Sequence, residues 1–530
     1  MLGQMQEYPL TLVHPFERAE RLFADRTIAT AGPHGLQRTT YSEWSERTRR
    51  LGGVLRDLGV SADGRVGTFA WNTSRHLELY FAAPCSGRVL HTLNIRLFPE
   101  QLAYIANHAQ DKLLFVDDSL LEMLEPIAPT FESIERTIVL GDEYEQLLAA
   151  QEPSFDYPEL DDRQAAGLCY TSGTTGNPKG VLYSHRSNVL HAMAKCLTDA
   201  EAIGRNDCVL PVVPMFHANA WGFPYACTLM GASMVMPSRF VTAERIARAI
   251  ESERVTVAGG VPTVWLDLLA HADRERPDLS SLRILVCGGS AVPESLMRAF
   301  DERHGVRIVQ AWGMTETSPL ASVSHPPVGL EGDEELRSRA RQGRPLPLVE
   351  ARIVGDDGEE APWDGEATGE LEVRGPWIAR EYYEDPSGAD KFHDGWLRTG
   401  DIASMDPDGS IRISDRAKDV IKSGGEWISS VDLENAIMAH PAVREAAVIA
   451  MPHERWAERP LACVVLDEGA SLSADELRGH LLDHVVKWWL PDEIAFVDEI
   501  PKTSVGKFDK KVLRAKLAEG ALLEDKAVAS

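Results

Sequence analysis

The chain has 530 residues, too many for one hydrophobic core and enough for two or more domains, and 44% hydrophobic with 25% charged residues are ordinary globular proportions. A formal net charge of −27 excludes nucleic acid or an anionic membrane as the main partner, since either calls for a basic face, and any anionic ligand must be met by local positive charge. Seven scattered cysteines without a Cys-x-x-Cys pair read as reduced core residues, Glu7 precedes the first Arg at position 18, and no apolar run has the length of a signal or a membrane span; the expectation is a cytoplasmic protein with no integral membrane association.

Along the chain, short β-rich runs at 66–71, 112–116, 137–140, 165–169, 208–213, 232–236 and 283–286 alternate with amphipathic segments such as 243–253 and 294–304. That is the layered α/β pattern. From about residue 351 the texture changes to hairpins, with turn signals at Asp356-Asp-Gly358 and Asp406-Pro-Asp-Gly409 beside strand-like runs at 370–374 and 410–414. The last hundred or so residues return to a compact mix: helices near 431–439 and 474–484, and strands at 446–450, 461–466 and near 495. The charged segment Asp415-Arg-Ala-Lys-Asp419 is the expected boundary, giving a large N-terminal domain of layered α/β subdomains plus a β-rich subdomain (1–415) and a small mobile α+β C-terminal domain (416–530).

The richest local signal is Tyr170-Thr-Ser-Gly-Thr-Thr-Gly-Asn-Pro-Lys-Gly180, placed after an apolar strand and before a predicted helix from His185. Gly173, Gly176 and Gly180 permit close approach; Thr171, Ser172, Thr174 and Thr175 bring hydroxyls and Lys179 a compact cation, the donor set a polyphosphate needs. The spacing is not that of the common P-loop, which has four residues between its glycines and a Ser or Thr after the Lys. A mobile Gly/Ser/Thr linker is the plain alternative, but linkers seldom separate a buried strand from a helix.

Four further groupings point to a nucleotide. Gln310-Ala-Trp-Gly-Met-Thr-Glu316 follows a strand-like run and offers Trp312 to stack on a purine, Thr315 for a phosphate and Glu316 for Mg²⁺. Thr399-Gly-Asp401 offers a carboxylate for ribose hydroxyls, Cys287-Gly-Gly-Ser-Ala291 a bare backbone against which a base can lie, and Pro501-Lys-Thr-Ser-Val-Gly-Lys507 a lysine on a loop. Each alone has an ordinary reading: a helix cap, a turn, a tight strand-to-helix connection, a solvated charge.

In their order and wording these motifs, with Pro214-Met-Phe-His217, Arg398-Thr-Gly-Asp401 and Lys422-Ser-Gly-Gly-Glu426, resemble the adenylate-forming superfamily of acyl-CoA synthetases, beetle luciferases and peptide-synthetase adenylation domains. The resemblance covers almost the whole chain and is strongest to bacterial medium- and long-chain fatty acid CoA ligases, through Pro211-Val-Val-Pro-Met-Phe-His217 and Gly424-Gly-Glu-Trp-Ile-Ser-Ser430; ligases for 3-methylthiopropionate share much of the same wording. It implies an AMP-forming acid-thiol ligase that uses Mg²⁺, ATP and CoA: a carboxylate attacks the α-phosphorus of ATP, then the CoA thiol displaces AMP. A short-chain or 3-methylthiopropionate ligase, or a freestanding adenylation enzyme loading a carrier protein, is the alternative.

The same resemblance implies roles residue by residue. Lys507, His217, Glu316 and Thr171 would serve the chemistry, with Thr171 and Glu316 at the metal. Asp401 and Arg416 would hold the ribose, Trp312 and Gly289 the adenine, with Ser290, Gln310, Ala311, Gly313, Met314 and Thr315 around the nucleotide. Lys418 would be the hinge, and Gly424, Gly425, Glu426 and Trp427 would line the CoA channel. Trp221, Val261, Gly288 and Trp427 would contact the acyl group, within a small apolar lining that runs over 221–225, 259–263 and 288–289. Many relatives carry Tyr where this chain has Trp312, which keeps the aromatic plane and loses a phenol. A homodimer through the N-terminal domain is expected on the same ground.

Overall fold

The computed structural model describes residues 1–171, 177–416, 419–423, 426–503 and 507–522, with Glu426 and Trp427 described by backbone only. Among these residues four sheets organise the chain. One has six strands, ordered Arg136–Val139, Asp111–Val116, Arg65–Phe69, Val89–Thr92, Ala165–Tyr170, Gly180–Ser184, parallel except at the last pair. A second has nine; its central strands Ile308–Gly313, Ile284–Gly288, Val257–Gly260, Cys208–Pro211, Ser233–Met236 and Thr27–Gly32 are all parallel, with antiparallel strands at both edges.

The parallel strands are continuous apolar runs because both their faces are covered. Along Val257–Gly260 and Ile284–Gly288 the side chains alternate between two layers: Val257, Ile284 and Val286 join the cluster that contains Phe223, whereas Ala258, Leu285 and Cys287 join the one around Trp265. Helices Ala243–Glu253 and Glu294–His304 start and stop where the sequence pattern places them; a Thr242 hydroxyl caps the first and Gly305, at φ +65°, ends the second.

A five-stranded antiparallel sheet follows, Glu350–Val354, Gly369–Arg374, Trp396–Met405, Phe392–His393, with Ile411–Arg416 paired to Trp396–Met405. The turns expected at Gly358 and Gly409 are present, both glycines at φ +83°. The last sheet comprises Glu426–Ile428, Ile421–Ser423, Ala457–Leu466 and Val443–His453, with Glu493–Phe496 parallel to Ala457–Leu466. Helix Ser430–Met438 ties this unit to the preceding strand: Asp415 Oδ2 accepts the Ser430 N–H at 2.8 Å, and the Ser429 hydroxyl donates to Ser414 O. Lys510 Nζ pairs with Glu434 Oε1 at 2.7 Å behind the same helix. Among the described residues no helix is long and apolar enough to cross a membrane.

Three expectations change. The Tyr170–Gly180 segment does not connect a strand to a helix; Gly180–Ser184 is a strand antiparallel to Ala165–Tyr170, so the segment joins the two arms of a hairpin and helix His185–Lys195 begins only after it. The period-two alternation was concealed because Val181 and Tyr183 are both apolar while Leu182, on the opposite face, is apolar and exposed. The sequence places 310–316 after a strand-like run, but Gln310 to Gly313 lie within the strand Ile308–Gly313 itself. Thr399-Gly-Asp401 sits inside the strand Trp396–Met405, at an irregularity of register where Gly400 takes φ +75°.

Candidate active site

The hairpin is closed at its mouth by Thr171 and Lys179: Thr171 N–H donates to Lys179 O at 2.9 Å, and Thr171 Oγ1 accepts the Lys179 N–H at 3.1 Å. Ser172, Gly173, Thr174, Thr175 and Gly176 lie outside the described residues. Lys179 reaches across to the connection between strands Gly369–Arg374 and Phe392–His393, its Nζ 4.8 Å from the Tyr382 ring centre and 3.8 Å from Asp385 Oδ2. The Tyr382 hydroxyl donates to Glu316 Oε1 at 2.6 Å, and burial together with the Glu316 charge pushes its phenol well up, so it remains a donor. Thr171, Lys179, Tyr382 and Glu316 thus belong to one wall. Neither Tyr382 nor Asp385 is marked by a local motif, and Tyr382 stands 66 residues from its carboxylate partner; only the topology brings them here.

A second group of these residues is built at the carboxyl ends of the parallel strands, where open α/β sheets place their ligands. Trp312 Nε1–H donates to Asp401 Oδ2 at 2.9 Å, and Arg416 Nε meets Asp401 Oδ1 at 2.7 Å, so the residues expected at adenine and ribose are one hydrogen-bonded group. The indole N–H therefore keeps a polar handle in place of the phenol. Gln310 is buried and its Oε1 accepts the Val292 N–H at 3.0 Å, which holds the turn after Gly289, while Ser290 is exposed on that turn. Thr315 O accepts the Tyr183 hydroxyl at 2.8 Å, and the Met314 N–H donates to Thr317 Oγ1 at 2.9 Å. A Cβ on Gly313 would come 1.8 Å from Pro319 O, and one on Gly288 would come 2.6 Å from Ala311 O, so glycine is required at both for backbone approach.

Lys507 comes from the C-terminal unit into this cleft. A Cβ on Gly289, whose φ is +88°, would meet Lys507 Cε and Val261 Cγ1, each at 3.3 Å. His217 is there too: burial first and the Lys507 charge second hold its imidazole down to about 3, so it is neutral at physiological pH. Trp221 lies over Gly288, with Cη2 3.4 Å from where a Cβ would stand. The sequence-predicted Lys507, His217, Gly289, Val261, Trp221 and Gly288 are brought together. Lys418, Gly424 and Gly425 lie outside the described residues, and Glu426 and Trp427 are placed only as backbone in the strand Glu426–Ile428.

After His217 the backbone turns left-handed over four consecutive non-glycine residues, Ala218, Asn219, Ala220 and Trp221, at φ 41°, 54°, 48° and 55°, and then Gly222 at φ 78°. Each such residue costs about 1–2 kcal/mol, and strain of this kind collects at functional sites. Asn219 Oδ1 accepts from Cys169 Sγ at 3.3 Å, tying the turn to the strand that leads into the hairpin loop. A Cβ on Gly222 would stand 2.6 Å from the His191 ring. Gly222→Ala is expected to destabilise the protein by about 2–4 kcal/mol, from the left-handed conformation and the overpacking together. Chemical denaturation measures it, and an unchanged midpoint would contradict this turn geometry.

Comparison with known proteins agrees with this arrangement. A family model described as AMP-binding enzyme matches residues 16–383, and one described as AMP-binding enzyme C-terminal domain matches 432–507. The chain belongs to the AMP-binding enzyme family. It is 47% identical to a long-chain-fatty-acid–CoA ligase of Thermus thermophilus, covering 96% of each chain. To a 3-methylmercaptopropionyl-CoA ligase of Ruegeria pomeroyi it is 45% identical, over 97% of this chain and 98% of that one. Among solved structures it resembles an anthranilate CoA ligase in complex with anthranoyl-AMP, with TM-score 0.89 and 26% identity over 97% of this chain and all of the other.

Proposed function

We propose that this protein is an ATP-dependent acyl-CoA ligase for medium- or long-chain fatty acids. It joins a carboxylate to AMP with release of pyrophosphate, then passes the acyl group to the thiol of CoA. The observation that carries this reading is the meeting of Lys507, His217 and the Gly288–Gly289 turn in one cleft with the Trp312–Asp401–Arg416 group. Membership of the AMP-binding family, and the relatives named as ligases of a long-chain fatty acid and of 3-methylmercaptopropionate, support it.

The first half-reaction brings two anions together, so its catalysis is mainly positioning and charge neutralisation. Lys507 would meet negative charge developing around the α-phosphate, the hairpin donors with Lys179 would hold the β- and γ-phosphates, and Asp401 with Arg416 would fix the ribose. His217, neutral, would stand between the acyl carboxylate and the approach of the thiol. For Mg²⁺ the donor set fits a hard cation shared with substrate: Glu316 supplies one carboxylate and Thr171 one hydroxyl, and among the described residues no cluster of three or more His, Cys, Asp or Glu stands ready to enclose an ion. Bound there, the ion would neutralise phosphate charge.

In this reading residues 1–415 form the ATP- and acyl-binding domain and 416–530 a mobile lid turning about 415–419, with Lys418 as the hinge and Gly424 to Trp427 entering the CoA channel for the second step. A cytoplasmic homodimer completes it. The test is AMP formation by purified protein with Mg·ATP and CoA across saturated acids from propionate to palmitate and 3-methylthiopropionate. A CoA-dependent optimum at about eight carbons or more bears the proposal out. Preference for the shortest acids favours the 3-methylthiopropionate-type ligase suggested by the 45% identical relative, and turnover indifferent to CoA overturns the ligase reading.

A further inference from the structure

Gly259 and Gly260 are neighbours on a central strand and face opposite layers of the nine-stranded sheet. A Cβ on Gly260 would come 2.6 Å from Trp265 Cζ2, so that glycine makes room for core packing on the far side. Gly259 shares its face with Gly288, and the register sets it opposite Val286, two residues short of Gly288 and therefore about 7 Å deeper along the strands. On this face Gly288, under Trp221, and Gly259 stand diagonally across two neighbouring strands, with the Val286 side chain beside Gly259. The space over Gly259 is filled by Phe223: a Cβ there would stand 2.3 Å from Cε2 and 2.8 Å from Cζ of that ring. Phe223, one of the residues expected along the acyl lining, thus stands as an aromatic ring at its deep end.

That ring is itself held. Phe223 is fully buried, and Lys195 Nζ lies over it, 4.0 Å from the ring centre. Lys195 Nζ pairs with Glu201 Oε1 at 2.5 Å, with both side chains 0% exposed, and Glu201 Oε2 has no hydrogen-bond partner among the described residues. A phenyl ring closing an apolar channel can usually swing aside for a longer ligand. Here the swing would remove the ring contact of a buried ammonium whose other named partner is the Glu201 carboxylate, and losing a contact costs a buried ion more than an exposed one.

We propose that Phe223 is the end wall of the acyl channel and sets the chain-length limit, with Lys195 and Glu201 as positioning residues that keep the ring in place. The proposal rests on the acyl-CoA ligase reading and adds how that site measures its substrate. An acid that reaches Phe223 gains from each added methylene, and the next one is refused.

The experiment is kcat/KM for CoA-dependent AMP formation, with KM and kcat separated, over saturated acids from propionate to palmitate in the wild type and in Phe223→Ala, Phe223→Leu and Lys195→Met. In the Phe223 variants the optimum is expected to move at least two methylenes longer, and activity on acids beyond the wild-type limit to rise roughly tenfold per methylene, mostly in KM. Lys195→Met is expected to relax the same limit while leaving the ring's bulk in place. If Lys195→Met does not fold, the two Phe223 variants decide. The same chain-length profile in wild type and variants overturns the proposal. A wild type that forms no AMP with any acid and CoA overturns instead the ligase reading on which it stands.

Discussion

Replacing Lys507 by Ala is expected to slow acyl-adenylate formation about 10²–10³-fold, the size of effect that follows loss of one preorganised electrostatic contact. The second half-reaction should survive, with pre-formed acyl-adenylate still yielding thioester and AMP when CoA is added. The asymmetry follows from where the side chain lies. Lys507 is carried by the C-terminal unit, yet its Cε approaches the Gly289 turn and its charge is one of two causes that hold His217 neutral. In the proposed reaction a lysine placed there would meet charge growing on the α-phosphate and would have no part once the mixed anhydride exists. Pyrophosphate release measures the first step and AMP release from added acyl-adenylate the second. An equal fall in both would mean that Lys507 acts by holding the fold or the domain arrangement. An independent readout is the His217 ring by NMR: without Lys507 its pKa should rise, though burial, the larger cause, should keep it well below the ordinary value.

How far this was legible in the sequence depends on the range of the interactions. Strands that are buried on both faces announce themselves as unbroken apolar runs, and Ile284–Gly288 followed by Gly289 at positive φ matches its reading closely. Linear motifs likewise marked Glu316, Asp401 and Lys507. Motif letters do not carry partners: that Trp312 bonds Asp401 across 89 residues, or that Glu316 is held by Tyr382, is decided by strand order in separate sheets. The glycines misled in a specific way. The sequence puts 259–263 along one pocket lining, whereas alternation along the strand sends Gly259 and Gly260 to opposite layers, where each accommodates an aromatic ring. The left-handed turn over 218–221 had no signal beyond Asn219 and Gly222, because two alanines and a tryptophan are poor residues for that conformation.

Acid should destabilise this protein through its buried histidines, in a window above the ordinary range of exposed carboxylates. His76 and His185 are both fully buried and held down to about 4 by burial, and His191, also buried, lies well below the ordinary value for the same reason. His185 Nδ1 accepts the Leu12 N–H and His191 Nε2 accepts the Leu320 N–H, which hold both rings neutral, whereas His76 Nδ1 donates to Trp71 O, a contact that favours the charged ring, so there burial is what keeps it neutral. In the unfolded chain these rings take up protons near pH 6.5, and in the folded protein His76 and His185 do so only near pH 4. Between those values the unfolded state binds more protons, so stability rises with pH and is lost as pH falls through the window. By pH 4.5 the loss is about 2–3 kcal/mol for each of His76 and His185, a large part of the 5–15 kcal/mol a typical domain has. Buried carboxyls such as Glu201 and Glu434, pushed up by burial, act in the opposite sense, so the decisive comparison is between variants. His185→Asn retains an acceptor for the Leu12 N–H and cannot be protonated. It should cost some stability at pH 7.5 but lose about 2–3 kcal/mol less than the wild type on going to pH 4.5, as read from urea unfolding at the two pH values. Parallel losses in the two proteins would show that His185 titrates normally in the folded state and that its burial does not govern the acid limit.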